Sequence, residues 1–150
     1  IRYAARLLKH TIAVSTDRFS MTLSENLPKV KADRLKLTQV LVNVLENALQ
    51  AISSRSDGVS VVSEPIDDLE LGRSVAIRIA DEGAGMDPDV LASVCSPFFT
   101  TKRDRGGSGL GMSVALGLVQ DMRGTIDIQS ERGAGTAMTI RIPVWLGAEG

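Results

Sequence analysis

The segment LVNVLENALQA, residues 41–51, carries two asparagines four positions apart within an amphipathic helical pattern. At about 100° per residue, the polar side chains of this helix share an arc of about 120°: Gln39, Asn43, Glu46, Asn47, Gln50 and Ser53. A solvated face would favour Lys, Glu or Arg, because asparagine is a weaker helix former. Amide oxygens are hard, neutral ligands that suit Mg²⁺ bound to phosphates. The asparagines therefore indicate a functional face, with a merely solvated face as the alternative.

A second segment, IADEGAGM, residues 79–86, ends an apolar strand in a carboxylate followed by glycines. Asp81 accepts hydrogen bonds only, so it could pair with the exocyclic amine of adenine but would oppose the carbonyl oxygen of guanine. Gly83 and Gly85 would permit positive φ and the close approach of a flat ligand. An ordinary turn after a strand is the alternative interpretation.

A third segment, GGSGLGM, residues 106–112, opens a long helical pattern. Backbone N–H groups and the helix dipole at such a start can hold phosphate oxygens. The segment is neither a Walker A loop, since no Gly-Lys-Ser/Thr follows, nor a Rossmann fingerprint, since no tight strand-to-helix turn precedes it. A flexible glycine loop is the alternative. Together the three segments would supply metal, base and phosphate contacts to one ligand.

Composition limits the classes of protein. The chain has 150 residues, 43% of them hydrophobic, with 17 Lys and Arg against 18 Asp and Glu, which fits one globular domain without a nucleic-acid-binding surface. No apolar run approaches the roughly 18 residues that cross a bilayer, and the segment at residues 1–10 lacks the long apolar core and the small-residue cleavage site of a signal peptide. A single cysteine, Cys95, excludes an internal disulfide framework. We expect a cytoplasmic domain without membrane contact of its own. The start at Ile1 is compatible with a fragment of a longer protein.

The elements that must position these segments alternate along the chain. The pattern predicts helices near residues 2–14, 33–53, 88–94 and 109–122, with Asp33 as a helix N-cap. It predicts extended segments near 18–25, 59–64, 74–81, 124–131 and 135–144, with an acidic turn over 65–72 and an irregular stretch over 96–108. This order predicts an α+β, two-layer sandwich. We assign 1–16 to the end of a preceding helix or a linker, 17–146 to the main domain and 147–150 to a tail.

Five segments in order resemble the N, G1, F, G2 and G3 boxes of the ATP-binding catalytic domain of sensor histidine kinases: QVLVNVLENALQA, DEGAGM, SPFFTTK, GSGLGM and RGAGTAMTIRIP. That superfamily also contains gyrase, heat-shock chaperone ATPases and mismatch-repair ATPases. SPFFTTK is most similar to nitrogen-regulation and dicarboxylate-transport sensors. The resemblance runs from about residue 30 to 143. It implies the Bergerat ATP-binding fold, with a mixed, mostly antiparallel sheet, helices on one face and a mobile ATP lid.

The resemblance also implies residue roles. Asn47 would ligate Mg²⁺, with Asn43 beside it at the phosphates, and Asp81 would bind the adenine amine. The other implied residues shape the base pocket (Gly83, Gly85), contact the base through water (Thr136), form the lid (Phe98, Phe99, Thr101, Lys102) or form the phosphate-facing hinge (Gly107, Gly109, Leu110, Gly111). Core packing is the alternative for the phenylalanines and a solvated charge for Lys102. Glu82 and Gln50 depart from the family, which often has Asn and Lys there.

The implied activity is transfer of the γ-phosphoryl group of Mg-ATP to a histidine. His10, in LLKHTIAVS, lacks the neighbours of a phosphoacceptor, so we expect the acceptor on a separate dimerisation domain of a homodimeric protein that is cytoplasmic or anchored in the inner membrane. A response regulator would be the downstream partner. Asn43 replaces the water-activating glutamate of the gyrase-like ATPases, so hydrolysis should be slow. The alternatives are a nucleotide-binding regulatory module without phosphotransfer, or a serine-kinase or ATPase member of the superfamily.

Overall fold

The computed structural model describes residues 1–94 and 111–147. Within these ranges the chain forms helices α1 (Arg2–Leu7), α2 (Lys9–Ser15), α3 (Arg34–Ala51), α4 (Pro88–Ser93) and α5 (Gly111–Asp121). The strands are β1 (Arg18–Leu23), β2 (Gly58–Asp68), β3 (Gly72–Asp81), β4 (Thr125–Glu131) and β5 (Gly135–Pro143).

The strands form one sheet in the order β1-β2-β3-β5-β4. β1 pairs parallel with β2, whereas the β2–β3, β3–β5 and β4–β5 pairs are antiparallel. The prediction of a mixed, mostly antiparallel sheet is therefore confirmed. Its parallel pair arises because α3 lies between β1 and β2 in the chain and supplies the long connection that parallel pairing needs.

The core lies between one face of the sheet and helices α3 and α5. Alternate residues of β3 and β5 point into it, as the strand period of two requires: Val75, Ile77, Ile79, Met138, Ile140 and Ile142, all with at most 7% of their surface exposed. α3 contributes Val40, Leu41, Val44, Leu45, Ala48 and Leu49, and α5 contributes Met112, Ala115 and Val119. Each fully buried large aliphatic side chain stabilises the fold by about 1.5–3 kcal/mol. The predicted two-layer α+β architecture is confirmed.

Helix α3 begins as the sequence predicts and ends earlier. Asp33 is its N-cap, since its Oδ1 accepts hydrogen bonds from the backbone N–H groups of Leu35 (2.9 Å) and Lys36 (3.0 Å). The helix ends at Ala51, and Ile52 is extended. The placement of Ser53 on the polar face of the helix is therefore wrong. Its N–H is instead held by the carboxylate of Asp57 at 3.1 Å.

Two other boundaries differ from the prediction. The opening helix divides at Leu8, which has φ −99° and ψ 12° and whose side chain is buried, whereas α2 buries no residue. The acidic turn is shorter than 65–72, because β2 continues to Asp68. Proline is tolerated at position 65 because β1 stops pairing at Ser63, so no ladder donor is required on that side. Asp68 forms the turn, accepting hydrogen bonds from the N–H groups of Glu70 and Leu71.

Candidate functional site

Three polar side chains form a cross-strand row at one end of the sheet. Asp81 of β3 is opposite Thr136 of β5, and Thr136 is opposite Ser130 of β4. Asp81 follows Ile77 and Ile79 at the strand period, so this polar row lies on the helix-facing side of the sheet. Asp81 is 9% and Thr136 8% exposed. The hydrophobic core therefore ends at this polar row, whose side chains can form hydrogen bonds.

The carboxylate of Asp81 is oriented by the loop that follows it. Its Oδ1 accepts a hydrogen bond from the N–H of Gly83 at 2.8 Å. A Cβ at position 83 would lie 2.5 Å from the carbonyl oxygen of Ala51 and 2.7 Å from Asp81 Oδ1. Glycine at position 83 is therefore required by close packing against the end of α3. The expectation of positive φ is wrong for Gly83, because it is absent from the positive-φ residues of the described chain.

Gly85 meets the expectation of positive φ, with φ +69°. A Cβ at this position would lie 1.9 Å from the carbonyl oxygen of Glu131, so both backbone conformation and space exclude a side chain. The loop is also tied to both sides of the site. Ala84 donates its N–H to the Ala51 carbonyl (3.3 Å) and accepts from the N–H of Gly133 (2.6 Å). The loop after Asp81 is thus fixed between α3 and the β4–β5 hairpin.

Ser130 joins the same loop to the polar row. Its Oγ lies 2.9 Å from the backbone nitrogen of Met86, 3.1 Å from the carbonyl oxygen of Gly135 and 2.8 Å from Thr136 Oγ1. Neither Ser130 nor Met86 is a predicted site residue. A signal for Ser130 exists in the segment SERGAGT, because residues equidistant from Gly133 across a hairpin are cross-strand partners.

Glu82 ties the site to the edge strand β1. Its carboxylate accepts hydrogen bonds from the N–H of Gly58 (2.6 Å) and from Arg18 Nη1 (2.7 Å) and Nη2 (3.3 Å). These contacts lower the pKa of Glu82, first through the Gly58 N–H and then through Arg18. The departure from the family at position 82 therefore has a structural reason, since a glutamate here connects three strands beside Asp81.

The polar face of α3 runs from α5 to the loop after Asp81. Asn43 donates its side-chain N–H to the carbonyl oxygen of Gly111, the first residue of α5, at 3.2 Å. Asn47 lies one turn further along the same stripe and is partly buried. Ala51, one more turn along, contacts the loop at Gly83 and Ala84. The stripe from residue 43 to residue 51 covers about 12 Å of helix axis.

Several predicted residues lie outside the described residues: Phe98, Phe99, Thr101, Lys102, Gly107, Gly109 and Leu110, together with Cys95. Gly111 is described, and a Cβ there would meet nothing within 4 Å. In the structure, the carbonyl oxygen of Gly111 accepts a hydrogen bond from Asn43. Among the helices of the described ranges, none combines the length and apolar character of a membrane span.

A fixed, buried carboxylate beside a hydroxyl, joined by a helical stripe to the start of a second helix, is an arrangement that suits a nucleotide. A family profile described as histidine kinase-, DNA gyrase B-, and HSP90-like ATPase matches residues 32–146, and the chain belongs to this family. The prediction of an ATP-binding catalytic domain of the sensor histidine kinase type is confirmed by the similar proteins below.

Sensor histidine kinase ZraS of Escherichia coli (strain K12) is 35% identical over 144 residues, covering 96% of this chain and 29% of that protein. The C4-dicarboxylate transport sensor protein DctB of Rhizobium meliloti (strain 1021) is 35% identical over 128 residues, covering 85% of this chain and 20% of that protein. The chain therefore spans less than a third of these relatives.

Solved structures agree with this relationship. The catalytic domain of histidine kinase ThkA has a TM-score of 0.78 at 26% identity, covering 95% of this chain and 90% of that chain. Full-length ShkA, in complex with AMPPNP, has a TM-score of 0.80 at 26% identity, covering 98% of this chain and 30% of that chain. Both matches confirm the predicted fold.

Proposed function

We propose that this domain binds Mg-ATP with its base at Asp81 and its triphosphate along α3 toward α5, and donates the γ-phosphoryl group to a histidine of another domain. The observation that carries this proposal is the α3 stripe. One end of the stripe contacts the loop after Asp81 and the other end contacts the start of α5. Base, metal and phosphate contacts would thus follow one another over about 12 Å.

The donor set at Asn47 fits magnesium. Its amide oxygen is a hard, neutral ligand, and Mg²⁺ commonly combines one or two protein ligands with phosphate oxygens and water. No cluster of three or more His, Cys, Asp and Glu able to hold a metal occurs in residues 1–94 and 111–147. The remaining ligands would therefore come from the triphosphate and water. Magnesium, when bound, supplies neutralisation of charge on the phosphate oxygens.

The chain's own residues would bind and orient the nucleotide. Asp81 would accept from the adenine amine, Thr136 would contact the base, and Asn43 would hold the start of α5 beside the phosphates. An imidazole nitrogen of the acceptor histidine would form a bond to the γ-phosphorus as the bond to the bridging oxygen breaks, and ADP would leave with that electron pair. Asn43 is no base, and its amide is engaged with Gly111, so attack by water should be slow.

The remaining assignments belong to the same proposal. Phe99, Thr101 and Lys102 would act as a lid, and Gly107, Gly109, Leu110 and Gly111 as its hinge at the phosphates.

The acceptor histidine would lie on a dimerisation domain of the full-length homodimer, with a response regulator downstream and the cytoplasm as the compartment. Residues 1–16 would connect to that domain, 17–146 would form the catalytic domain and 147–150 a tail. The relatives' name, sensor histidine kinase, and the AMPPNP of the ShkA complex support this reading.

The test is incubation with γ-labelled ATP. We expect the isolated domain to bind ATP, hydrolyse it slowly and remain unlabelled. His10 is exposed, but it lacks the neighbouring residues of a phosphoacceptor. Adding the dimerisation helices of the full-length protein as a separate polypeptide should give acid-labile label on their histidine. The rate should be low, because a tethered acceptor has a roughly millimolar effective concentration that free mixing lacks.

Three outcomes would contradict the proposal. Acid-stable label on the isolated domain would indicate a serine kinase. Rapid phosphate release without label would indicate a gyrase-like ATPase. ATP binding without transfer to the added helices, even at high concentration, would favour a regulatory nucleotide-binding module.

A further inference from the structure

The hydroxyl of Ser130 makes three hydrogen bonds but has only one hydrogen to donate. It lies 2.9 Å from the N–H nitrogen of Met86, 3.1 Å from the Gly135 carbonyl oxygen and 2.8 Å from Thr136 Oγ1. A serine hydroxyl provides one donor hydrogen and two acceptor lone pairs. The direction of each of the three bonds therefore follows from a count of hydrogens.

Met86 donates its N–H, so this contact uses one lone pair of Ser130. The carbonyl oxygen of Gly135 can only accept, so Ser130 must donate its single hydrogen there. The second lone pair of Ser130 then accepts from Thr136, whose hydroxyl is the donor of the 2.8 Å bond. With the opposite assignment, two acceptor oxygens would face each other at 3.1 Å between Ser130 and Gly135. Only the first assignment satisfies all three contacts.

The consequence concerns the other side of Thr136. With its hydrogen committed to Ser130, the Thr136 hydroxyl acts toward a ligand as an acceptor. Asp81 is the cross-strand neighbour of Thr136, and the Cβ atoms of such pairs lie about 4.5–5.5 Å apart. The carboxylate of Asp81 also accepts only. The polar row thus presents two acceptors side by side.

We propose that Ser130 is a specificity-determining positioning residue, which fixes the Thr136 hydroxyl as an acceptor and so makes the pocket prefer a purine with an amine at C6 over one with a carbonyl. This inference rests on the proposed nucleotide-binding function. An amino group has two hydrogens and can donate directly to both acceptors. A carbonyl oxygen at the same place has no hydrogen to donate and faces the lone pairs of both groups.

The test compares ATP with ITP, whose base carries a carbonyl in place of the amine and an N–H at N1 in place of an acceptor nitrogen. Dissociation constants of both nucleotides are measured by calorimetry for the wild-type domain and for Ser130→Ala. Without Ser130, the Thr136 hydroxyl can rotate and donate to the carbonyl of ITP. The preference for ATP over ITP should fall about three- to tenfold, the range of one neutral hydrogen bond. Ser130→Thr keeps the hydroxyl and should restore the preference.

A merely structural role would give a different result. Loss of the contacts to Met86 and Gly135 alone would loosen the loop and weaken both nucleotides by the same factor, leaving their ratio unchanged. That result would overturn the inference. If Ser130→Ala does not fold, Ser130→Cys provides the second variant, since a thiol is a weak donor and a weak acceptor. It should lower the ratio, and an unchanged ratio in folded Ser130→Cys would overturn the inference equally.

A double-mutant cycle locates the effect at Thr136. In a Thr136→Val background the hydroxyl that Ser130 orients is absent, so adding Ser130→Ala should not change the ATP to ITP ratio further. A further change of similar size would show that Ser130 acts elsewhere and would overturn the inference. If the wild-type domain binds neither nucleotide, the proposed function fails and the inference with it. If it prefers ATP and Ser130→Ala keeps that preference, the inference alone fails.

Discussion

Asp81→Asn is the substitution that most sharply tests the base pocket. In the structure Asp81 is 9% exposed, and its Oδ1 accepts from the N–H of Gly83 at 2.8 Å. Asparagine has nearly the same shape and retains one oxygen, so it can keep the bond to Gly83. It replaces the other carboxylate oxygen by an NH₂ group. The amine of adenine, itself a donor, would then meet a donor where it met an acceptor.

The expected loss follows from the bond removed. A hydrogen bond to a charged group contributes about 1.5–3 kcal/mol, which corresponds to an ATP affinity about 10- to 150-fold weaker. The free energy of unfolding should change little, because the backbone contact of Asp81 is retained. The substitution should therefore separate binding from folding.

The assay is calorimetric titration with Mg-ATP, accompanied by thermal unfolding. Asp127→Asn is a matched control, because Asp127 is a half-exposed strand residue that contacts Arg141 at 3.9 Å and lies off the polar row. It should bind ATP as the wild type does. A folded Asp81→Asn variant with unchanged ATP affinity would show that Asp81 does not bind the base and is an ordinary turn residue.

Three further predictions follow from the structure. Asn47→Ala should remove the Mg²⁺-dependent part of ATP binding without unfolding the domain, since alanine favours the helix by up to about 0.7 kcal/mol; a variant that is strongly destabilised and keeps its Mg²⁺ dependence would make Asn47 structural. Glu82→Gln should lower the free energy of unfolding at neutral pH. In urea unfolding, the difference in this free energy from wild type should shrink as the pH falls below about 4.5, because the Glu82 carboxylate, whose pKa is lowered in the folded state, stabilises the fold only while it is ionised; a pH-independent difference would rule this out. Gly85→Ala should cost more in thermal unfolding than Gly72→Ala, since both have positive φ but only position 85 places a Cβ against a carbonyl, at 1.9 Å; equal costs would show that the contact relaxes.

Local patterns were sufficient to predict much of this fold. The cap at Asp33, the amphipathic α3 and the strands around Ile79 and Ile140 follow from hydrogen-bonding chemistry and from the periods of helix and strand. The same patterns place Asp81 at the end of a buried strand. These features depend on residues near one another in the chain, which is why periodicity detects them.

Features that depend on distant residues could not be predicted in this way. Arg18 and Glu82 are 64 residues apart, and only the parallel pairing of β1 with β2 brings them together. Continuation of β2 through Pro65 depends on where β1 stops. Likewise, Gly83 looks like a flexible turn residue in the sequence, whereas in the structure it is required by the Ala51 carbonyl packed against it. Tertiary packing decides each of these cases.

Titration of the domain with ATP and ADP, each with and without Mg²⁺, tests directly whether it binds Mg-ATP. We predict that both nucleotides bind and that Mg²⁺ strengthens the binding of ATP through Asn47. We also expect ITP to bind more weakly than ATP. If a folded domain binds neither adenine nucleotide, the proposed function is wrong.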